Sequence, residues 1–290
     1  MDINSYTPEE VAAALNITKN TVYEMVKRGE LPAYRIGRKI RIDAKSIAEY
    51  KEKKQNDALY TEKYEQSFFV IGGQDVILDI LARYLETENP GAKVLRSHKG
   101  SYNCLYDLYN DRVNAATAHL WDGDSNTYNS VYIKSMLPGV PATIIHLAKR
   151  FQGFYVKSGN PKTITGWEDL RRTDIKFVNR ERGSGTRVLL DERMRLMEIN
   201  PEQLDGYNTV ANSHILVAST VARGIADFGM GNEKAIQQVN GLEFIPLQKE
   251  NYDLILKSCD LDLPMVQSLV GIATSDQYKK EIRSLGGYEL

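Results

Sequence analysis

Two short, capped helices followed by a basic pair of strands fill residues 7–42, and this pattern constrains the fold more than any other part of the chain. Thr7 is a good helix N-cap, and Glu10 stands where it completes a capping box. Thr18 is a second N-cap, and Gly29 suits the end of the helix that it opens. Two helices joined by so short a turn predict a helix-turn-helix, whose second helix enters the major groove of DNA.

The exposed side of the second helix and the strand pair after it carry the polar and basic side chains that duplex DNA binding needs. The strands are predicted at residues 33–36 and 39–42, with Gly37 at their turn. Asn20 and Thr21 are short enough to bond base edges, whereas long cationic side chains suit phosphates. The predicted DNA-binding residues are Thr18, Lys19, Asn20, Thr21, Tyr23, Lys27, Arg28, Arg35, Arg38, Lys39 and Arg41.

The charge distribution favours the same partner, double-stranded DNA. Residues 1–54 carry 11 Lys and Arg against 8 Asp and Glu, a net charge of +3, whereas the rest of the chain carries 26 against 30, a net charge of −4. The positive end is where phosphates would bind. The alternative is a three-helix protein-interaction domain with a solvated basic face. Because one such module covers little DNA, a homodimer or higher homo-oligomer is expected.

This order of elements resembles the excisionase-like winged helix-turn-helix family, which is related to the MerR type. Residues 18–23 (TKNTVY) and 31–42 (LPAYRIGRKIRI) carry the resemblance. It implies a mostly α, winged helix-turn-helix DNA-binding domain over residues 1–54. Residues 55–66 are then a charged linker.

The composition of the whole chain fits a folded protein of the cytoplasm. Its 290 residues are 42% hydrophobic, which leaves room for a second domain of about 220 residues. No apolar run reaches the roughly 18 residues that span a membrane, and the N-terminal residues do not form a signal peptide. Cys104 and Cys259 lack metal-motif spacing and are expected to be reduced thiols. A cytoplasmic location with no membrane partner is therefore expected.

From residue 67 onward, apolar runs of strand length alternate with stretches of helical spacing. Residues 67–72, 94–96 and 115–120 are predicted strands, and residues 75–86 and 104–110 are predicted helices. Further strands are predicted at 142–148, 154–157 and 176–179, and further helices at 189–197, 215–223 and 232–238. The alternation indicates an α/β domain with a largely parallel sheet, in which a ligand sits beyond the carboxyl ends of the strands.

Three strand-to-helix loops have the residue types of an anion site. Residues 97–101, 179–187 and 213–214 each bring serine to a predicted helix N-terminus. Free backbone N–H groups, partial positive charge and hydroxyl donors at such a position bind anions. The alternative is that these loops merely cap helices and that His214 is an ordinary core or capping histidine. His119 and Asp122 alone are too weak a pair to predict a metal site.

Residues 67 to about 257 also resemble the periplasmic-binding-protein-like domain of cytoplasmic regulators related to molybdate-binding proteins. Among the matching stretches are 97–101 (SHKGS), 118–122 (AHLWD), 182–187 (RGSGTR), 221–229 (VARGIADFG) and 244–247 (FIPL). The resemblance implies an α/β, two-lobed domain of type II that closes on a ligand. The loop between the second stretch and Tyr128 departs from the family pattern, which leaves the identity of the ligand open.

The resemblance also implies where the lobes and the ligand lie. The domain would cover residues 67–290, with lobe one at about 67–148 plus 248–290 and lobe two at about 149–247. Its ligand would be a small oxyanion, molybdate or tungstate, with no cofactor and no metal. The predicted ligand-binding residues are Ser97, Gly100, Ser101, His119, Asp122, Tyr128, Arg182, Ser184, Gly185, Thr186, Arg187 and His214.

The sequence therefore predicts a ligand-responsive, DNA-binding transcription regulator. An enzyme is not expected, because no nucleophile, base and orienting group stand at a recognisable spacing. One alternative keeps the architecture but binds a small organic molecule in an aromatic cleft. The aromatic residues proposed for that cleft are Tyr102, Tyr106, Trp121, Tyr128 and Tyr155. The other alternative is a DNA recombination accessory factor of the excisionase type.

Overall fold

The computed structural model describes residues 5–15, 17–37, 39–51 and 68–290. The chain divides into two compact units, Met1–Ser67 and Phe68–Leu290. Arg38 and the predicted linker at residues 55–66 lie outside the described residues. Within the described ranges, no helix is long and apolar enough to cross a membrane.

The N-terminal unit has the helix-turn-helix and the wing that the sequence predicts. Its helices are α1 (Pro8–Leu15), α2 (Lys19–Lys27) and α3 (44–51), and its strands are β1 (Ser5–Tyr6), β2 (Tyr34–Ile36) and β3 (Lys39–Asp43). The strands form a small antiparallel sheet in the order β1-β3-β2, in which Ile36 pairs with Lys39 across the turn of the wing. Strand β1 is an addition that the sequence-based assignment missed.

Local side-chain bonds explain where these helices begin. The Thr7 N–H donates to Glu10 Oε2 at 2.7 Å and the Glu10 N–H donates to Thr7 Oγ1 at 3.3 Å, which is the predicted capping box. Thr18 Oγ1 accepts from the Thr21 N–H at 3.2 Å. Gly29 follows α2 with a φ of +72°, as a C′ glycine does. The buried apolar side chains of the unit are Val11, Ala12, Val22, Met25, Leu31, Ile42 and Ile47.

The larger unit is a two-lobed α/β domain. Its strands are β4 (Phe68–Gly72), β5 (Lys93–Ser97), β6 (Ala115–Ala118), β7 (Trp121–Asp122), β8 (Thr127–Tyr128), β9 (Ala142–Lys157), β10 (Phe177–Arg180), β11 (Val210–Ala211), β12 (Phe228–Asn232) and β13 (Leu242–Lys257). Its α-helices are α4 (Ile77–Glu88), α5 (Ser101–Tyr109), α6 (Ser130–Met136), α7 (Gly185–Leu196), α8 (His214–Ala222), α9 (Glu233–Ile236), α10 (Pro264–Thr274) and α11 (Asp276–Leu285). Eight strands form one sheet in the order β11-β10-β12-β9-β13-β6-β4-β5, and β7 and β8 form a separate hairpin.

Two long strands connect the lobes. We define lobe one by the elements on the β13 side of these strands, β4–β8, α4–α6, α10 and α11, and lobe two by those on the β9 side, β10–β12 and α7–α9. Strands β9 and β13, each 16 residues long, run antiparallel through both lobes. The predicted lobe boundaries near residues 148 and 247 fall inside them. The separate strands predicted at 142–148 and 154–157 are one continuous strand, which corrects the sequence-based assignment.

The sheet is parallel inside each lobe and antiparallel where the lobes join. β4 pairs in parallel with β5 and β6, and β10 pairs in parallel with β11 and β12. The pairs β12–β9, β9–β13 and β13–β6 are antiparallel. The loops that follow the parallel strands of both lobes supply the site described below, as expected for sheets of this kind.

The β7–β8 hairpin extends from lobe one onto lobe two. Trp121 is buried in an apolar cluster with Phe154, Leu189 and other side chains of lobe two. The Gly123 N–H donates to Glu192 Oε2 at 3.1 Å, and Arg195 Nη2 donates to Asp124 at 2.9 Å. The Arg193 guanidinium lies 4.2 Å from the Trp121 ring centroid and 5.5 Å from that of Trp167. The hairpin therefore adds contacts between the two lobes to those that the connecting strands make.

Candidate functional site

The predicted DNA-binding residues of the N-terminal unit lie on α2 and the wing. Nine of them are exposed: Thr18, Lys19, Asn20, Thr21, Tyr23, Lys27, Arg28, Arg35 and Lys39. Thr18 is occupied as the cap of α2. Lys19 pairs with Glu9, and Arg28 pairs with Glu30 at 3.0 Å. Half-buried Arg41 reaches the Ser5 carbonyl at 3.5 Å, and Arg38 lies outside the described residues.

These contacts neutralise some of the cationic side chains on α2 and the wing and leave others unpaired. Lys27, Arg35 and Lys39 form no ion pair among the described residues. An unpaired, exposed cation is the kind of group that replaces counterions on a phosphate backbone. The chemistry of this unit therefore suits duplex DNA.

A small polar cavity lies between the lobes of the larger unit. Its volume is about 10 Å³, near the least that holds a water molecule. Loops after β4, β5, β6, β10 and β11 supply most of its lining. The lining residues are Gly73, Gln74, Lys99, Gly100, Ser101, Thr117, His119, Arg150, Arg180, Ser184, His214 and Tyr252.

Glycines bring the two lobes into direct contact at this cavity. A Cβ added at Gly100 of lobe one would lie 2.6 Å from Ser184 Cα of lobe two. A Cβ added at Gly185 would lie 2.5 Å from the His119 ring. Neither approach leaves room for a side chain, so a close fit of the lobes requires glycine at both positions.

Two helices begin beside the cavity, one from each lobe. Helix α5 starts at Ser101, whose Oγ accepts from the His119 N–H at 3.3 Å. Helix α7 is capped by Ser184, whose Oγ accepts from the Arg187 N–H at 3.2 Å and donates to the Glu181 carbonyl at 3.0 Å. Helix N-termini carry partial positive charge, so both add to a field that attracts anions.

Arg150 is buried beside the cavity and fully paired. Its guanidinium donates to Asp75 Oδ2 and, at 2.6 Å, to Glu250 Oε1. His119 Nδ1 lies 2.7 Å from Glu250 Oε2. Burial raises the pKa of Glu250, but His119 and Arg150 together lower it further, to about 2. Glu250 is therefore a carboxylate at neutral pH. Arg150 forms its ion pairs within the protein and is not available to pair with a ligand.

Arg180 is also buried, but one of its donors is free. Its Nε and Nη2 donate to Glu181 at 2.8 Å, and Nη2 also donates to Gln74 Oε1 at 2.7 Å. Its Nη1 is buried and has no hydrogen-bond partner among the described residues. An unbonded guanidinium donor in a buried position costs free energy, which a ligand oxygen would recover.

His214 completes the wall from the first turn of α8. Its Nδ1 is buried and, within the described part of the chain, unbonded. Burial first, and then the charges of Arg180 and Arg150, hold the pKa of His214 well below its usual value. The ring is therefore neutral near pH 7, and one of its nitrogens is a donor.

The structure brings some of the predicted ligand-binding residues together and places others elsewhere. Gly100, Ser101, His119, Ser184 and His214 line the cavity. Gly185 packs on His119, and Thr186 Oγ1 donates to Gln152 behind it at 3.1 Å. Arg182 is exposed, and the Ser97 carbonyl accepts from the Gly73 and Lys99 N–H groups.

Three further predicted residues have their polar groups bound away from the cavity. Asp122 accepts from the Ser125 backbone and hydroxyl. The Tyr128 hydroxyl accepts from Gln248 at 2.7 Å. Arg187 pairs with Asp191 and stacks on Tyr207. The aromatic residues proposed for an organic ligand also lie elsewhere: Tyr102 and Tyr106 are exposed, and Trp121, Tyr128 and Tyr155 pack in apolar clusters of lobe two.

Sequence reasoning missed several residues of the cavity wall. They are Gly73, Gln74, Lys99, Thr117, Arg150, Arg180 and Tyr252. A usable signal existed for two of them, because Arg180 directly follows the strand predicted at 176–179 and Arg150 closely follows the strand predicted at 142–148. A charged side chain at the carboxyl end of a buried strand is a candidate for a ligand site in α/β folds.

Comparison with known proteins places the chain in a family. The PBP superfamily domain model matches residues 82–274, and a helix-turn-helix domain model matches residues 5–55. The uncharacterised protein YvgK of Bacillus subtilis is 38% identical over 302 residues, which cover 99% of this chain and 96% of that protein.

Solved structures show the same fold at low sequence identity. A proposed phosphate ABC transporter substrate-binding protein of Clostridium perfringens, with bound phosphate, superposes with a TM-score of 0.59 and 14% identity, and covers 77% of this chain and 100% of its own. An H2O2-bound mutant of OxyR from Corynebacterium glutamicum has a TM-score of 0.53 and 15% identity, and covers 96% of this chain and 89% of its own. The combination of domains resembles ligand-binding transcription regulators. The chain therefore belongs to the PBP superfamily, with a helix-turn-helix domain preceding its PBP-like domain.

Proposed function

We propose that the chain is a ligand-responsive, DNA-binding transcription regulator and that a small oxyanionic group binds in the interlobe cavity. One observation carries the proposal. Arg180 Nη1 is buried without a partner among the described residues, and the described lining of the cavity includes no carboxylate. The other cations of the lining already form ion pairs, Lys99 with Asp107 and Arg150 with Asp75 and Glu250. Charge-assisted bonds from guanidinium to oxyanions are among the strong hydrogen bonds of proteins. Molybdate and tungstate are the ligands that the sequence resemblance suggests.

The dimensions of the cavity exclude a bulky ligand. A volume of about 10 Å³ has no room for an aromatic ring. None of the five aromatic residues proposed for an organic ligand is among the described residues that line it. The lining therefore favours the oxyanionic group over the aromatic-cleft alternative.

Ligand binding would act by holding the lobes together. Arg180 belongs to lobe two and Ser101 to lobe one, so an oxyanion that contacts both bridges the cleft. A ligand with higher affinity for the closed arrangement shifts the equilibrium toward it. In the expected homodimer, closure would change the spacing of the paired helix-turn-helix units and hence their fit to two DNA half-sites.

Calorimetry and thermal shift on the full chain test the ligand. Molybdate, tungstate, sulfate and phosphate are the probes, and the binding ion is expected to raise the melting temperature because it binds the folded state alone. Arg180→Lys should abolish most of that shift. Lack of response to all four ions would remove a free inorganic oxyanion as the effector.

Salt-dependent DNA binding tests the other half of the proposal. Arg35→Ala should weaken binding to all duplex sequences alike and should reduce the slope of log affinity against log salt by about 1. Lys134→Ala, at an exposed position of lobe one, is the matched control. An unchanged slope for Arg35→Ala would remove the wing from the DNA contact, and footprints beside promoters rather than attachment sites would separate regulation from recombination.

A further inference from the structure

A larger groove adjoins the interlobe cavity. It has a volume of about 660 Å³, within the range of small-molecule sites. Both lobes line it, and it shares two residues, Gln74 and His214, with the cavity. Among its other lining residues are Asp75, Val76, Asp79, Ile215 and Lys234.

The cavity and the groove differ in the side chains that line them. The cavity holds cationic side chains, whereas the groove exposes an apolar side chain from each lobe, Val76 at 39% and Ile215 at 44%. The two carboxylates of the groove are already paired, Asp75 with Arg150 and Asp79 with Arg96. The one lysine among its described lining residues, Lys234, donates to Gln237 and to the Leu285 carbonyl. The groove therefore suits a body with apolar surface rather than a second charge.

Gln74 lies between the cavity and the groove. Its Oε1 accepts from Arg180 Nη2 at 2.7 Å, and its Nε2 donates to the His98 carbonyl at 3.1 Å. The side chain thus spans from the loop after β5 of lobe one to Arg180 of lobe two. A ligand that places an oxyanion at Arg180 and extends outward passes this amide, which can donate to it by rotating away from the arginine.

We propose that the effector is an organic anion, with a carboxylate or phosphate group in the cavity and an uncharged body in the groove between Val76 and Ile215. The inference rests on the proposed oxyanion site and names the rest of the molecule that carries the oxyanion. The cavity supplies the hydrogen-bond donors for the head group, and the groove supplies the volume that the body requires. A free inorganic ion would leave both apolar side chains in water.

Probes that share a head group but differ in the rest of the molecule measure how much the body contributes to affinity. Calorimetry on the full chain compares phosphate with methyl phosphate and phenyl phosphate, and acetate with butyrate and benzoate. Affinity is expected to rise at least tenfold from the bare group to its largest derivative in one of the two series. The series that responds identifies the head group as phosphate or carboxylate.

Two variants test whether the body lies in the groove. Val76→Trp and Ile215→Trp fill it from opposite lobes and should weaken the largest derivative at least tenfold while leaving the bare ion unchanged. Val131→Trp and Ile144→Trp are the controls, since these residues are exposed to 44% and 45% outside the groove. Circular dichroism and melting temperature establish that all four variants fold.

Each result decides between the proposals. If phosphate or acetate binds as tightly as its larger derivatives, the organic effector is overturned but the oxyanion site is still supported. Derivatives that bind tightly to both groove variants also overturn it, because the body then lies elsewhere. No binding of any probe in either series overturns the oxyanion site as well.

Discussion

Arg150 and Arg180 are two buried arginines that face the same cavity, and they differ in how they are neutralised. Arg150 lies between two buried carboxylates, Asp75 and Glu250. Arg180 has one partly exposed partner, Glu181, and keeps Nη1 unbonded among the described residues. In the first arrangement the guanidinium is held from both sides by groups of the protein itself, so its loss would leave buried carboxylates without a partner. The second leaves a donor for a molecule that arrives later.

Removal of Arg150 should cause the largest loss of stability among the variants. Arg150→Met leaves the buried Asp75 without an ion pair and Glu250 with His119 alone, so the free energy of unfolding should fall by about 3–5 kcal/mol. Urea unfolding at pH 7 measures it. The lowered pKa of Glu250 stabilises the fold above its usual value of 4.5, and this contribution is lost as pH falls toward 2. The variant should therefore lose less stability in acid than the parent does. A loss no larger than that of Arg180→Met would make the two arginines equivalent.

A conservative change at Arg180 should act on binding instead. Arg180→Lys keeps the charge but loses the fork of donors, so affinity for the oxyanionic probe should fall by about 1.5–3 kcal/mol, the range for a bond to a charged group. Calorimetry gives the value. Arg172→Lys, which alters another paired arginine of lobe two, should change nothing. Equal affinity in parent and Arg180→Lys would assign Arg180 to structure alone.

The neutral His214 ring beside Arg180 should make stability depend on pH. Its pKa in the folded chain is far below 6.5, so only the unfolded chain takes up a proton as pH falls below that value. The stabilisation is full above pH 6.5 and is lost below it, at up to about 1.4 kcal/mol per pH unit. His214→Gln should flatten the decline between pH 6.5 and 5, and His98→Gln, at an exposed site, should not. Parallel curves for parent and His214→Gln would contradict a neutral, buried ring.

The smallest effect is expected at the cap of α7. Ser184 Oγ caps this helix and also binds the Glu181 carbonyl, in the loop that follows Arg180. Ser184→Ala should cost about 1 kcal/mol of stability, a usual value for an N-cap, and should weaken probe binding. Ser213→Ala removes the equivalent cap of α8. If both variants bind the probe equally well, Ser184 serves only as a cap.

Local signals predicted most of the fold. Thr7, Thr18, Ser184 and Ser213 cap helices at or beside the predicted positions, because a cap depends on a side chain and the next three residues. Strand β13 was missed because Pro246 interrupts its apolar run, and proline argues against a central strand. A register shift beside Pro246 accommodates it, and a shift of that kind is set by the partner strand.

Long-range pairing explains what the sequence could not show about the site. Arg150 meets Glu250 because β9 and β13 pair residue 150 with residue 250, a contact that no local pattern indicates. Asp122 was assigned to the ligand by resemblance, yet its carboxylate holds its own turn at Ser125. The loops near the cavity were therefore predictable, whereas the pairing state of each charge in it was not.

The hairpin that crosses from lobe one onto lobe two gives the protein a built-in optical reporter. The chain has two tryptophans, and Arg193 contacts both, Trp121 from lobe one and Trp167 from lobe two. Separation of the lobes would draw the Trp121 indole out of a dry, cation-flanked environment while Trp167 stays in place. The intrinsic emission spectrum would then follow opening and closing in real time, in the unlabelled protein and with DNA present.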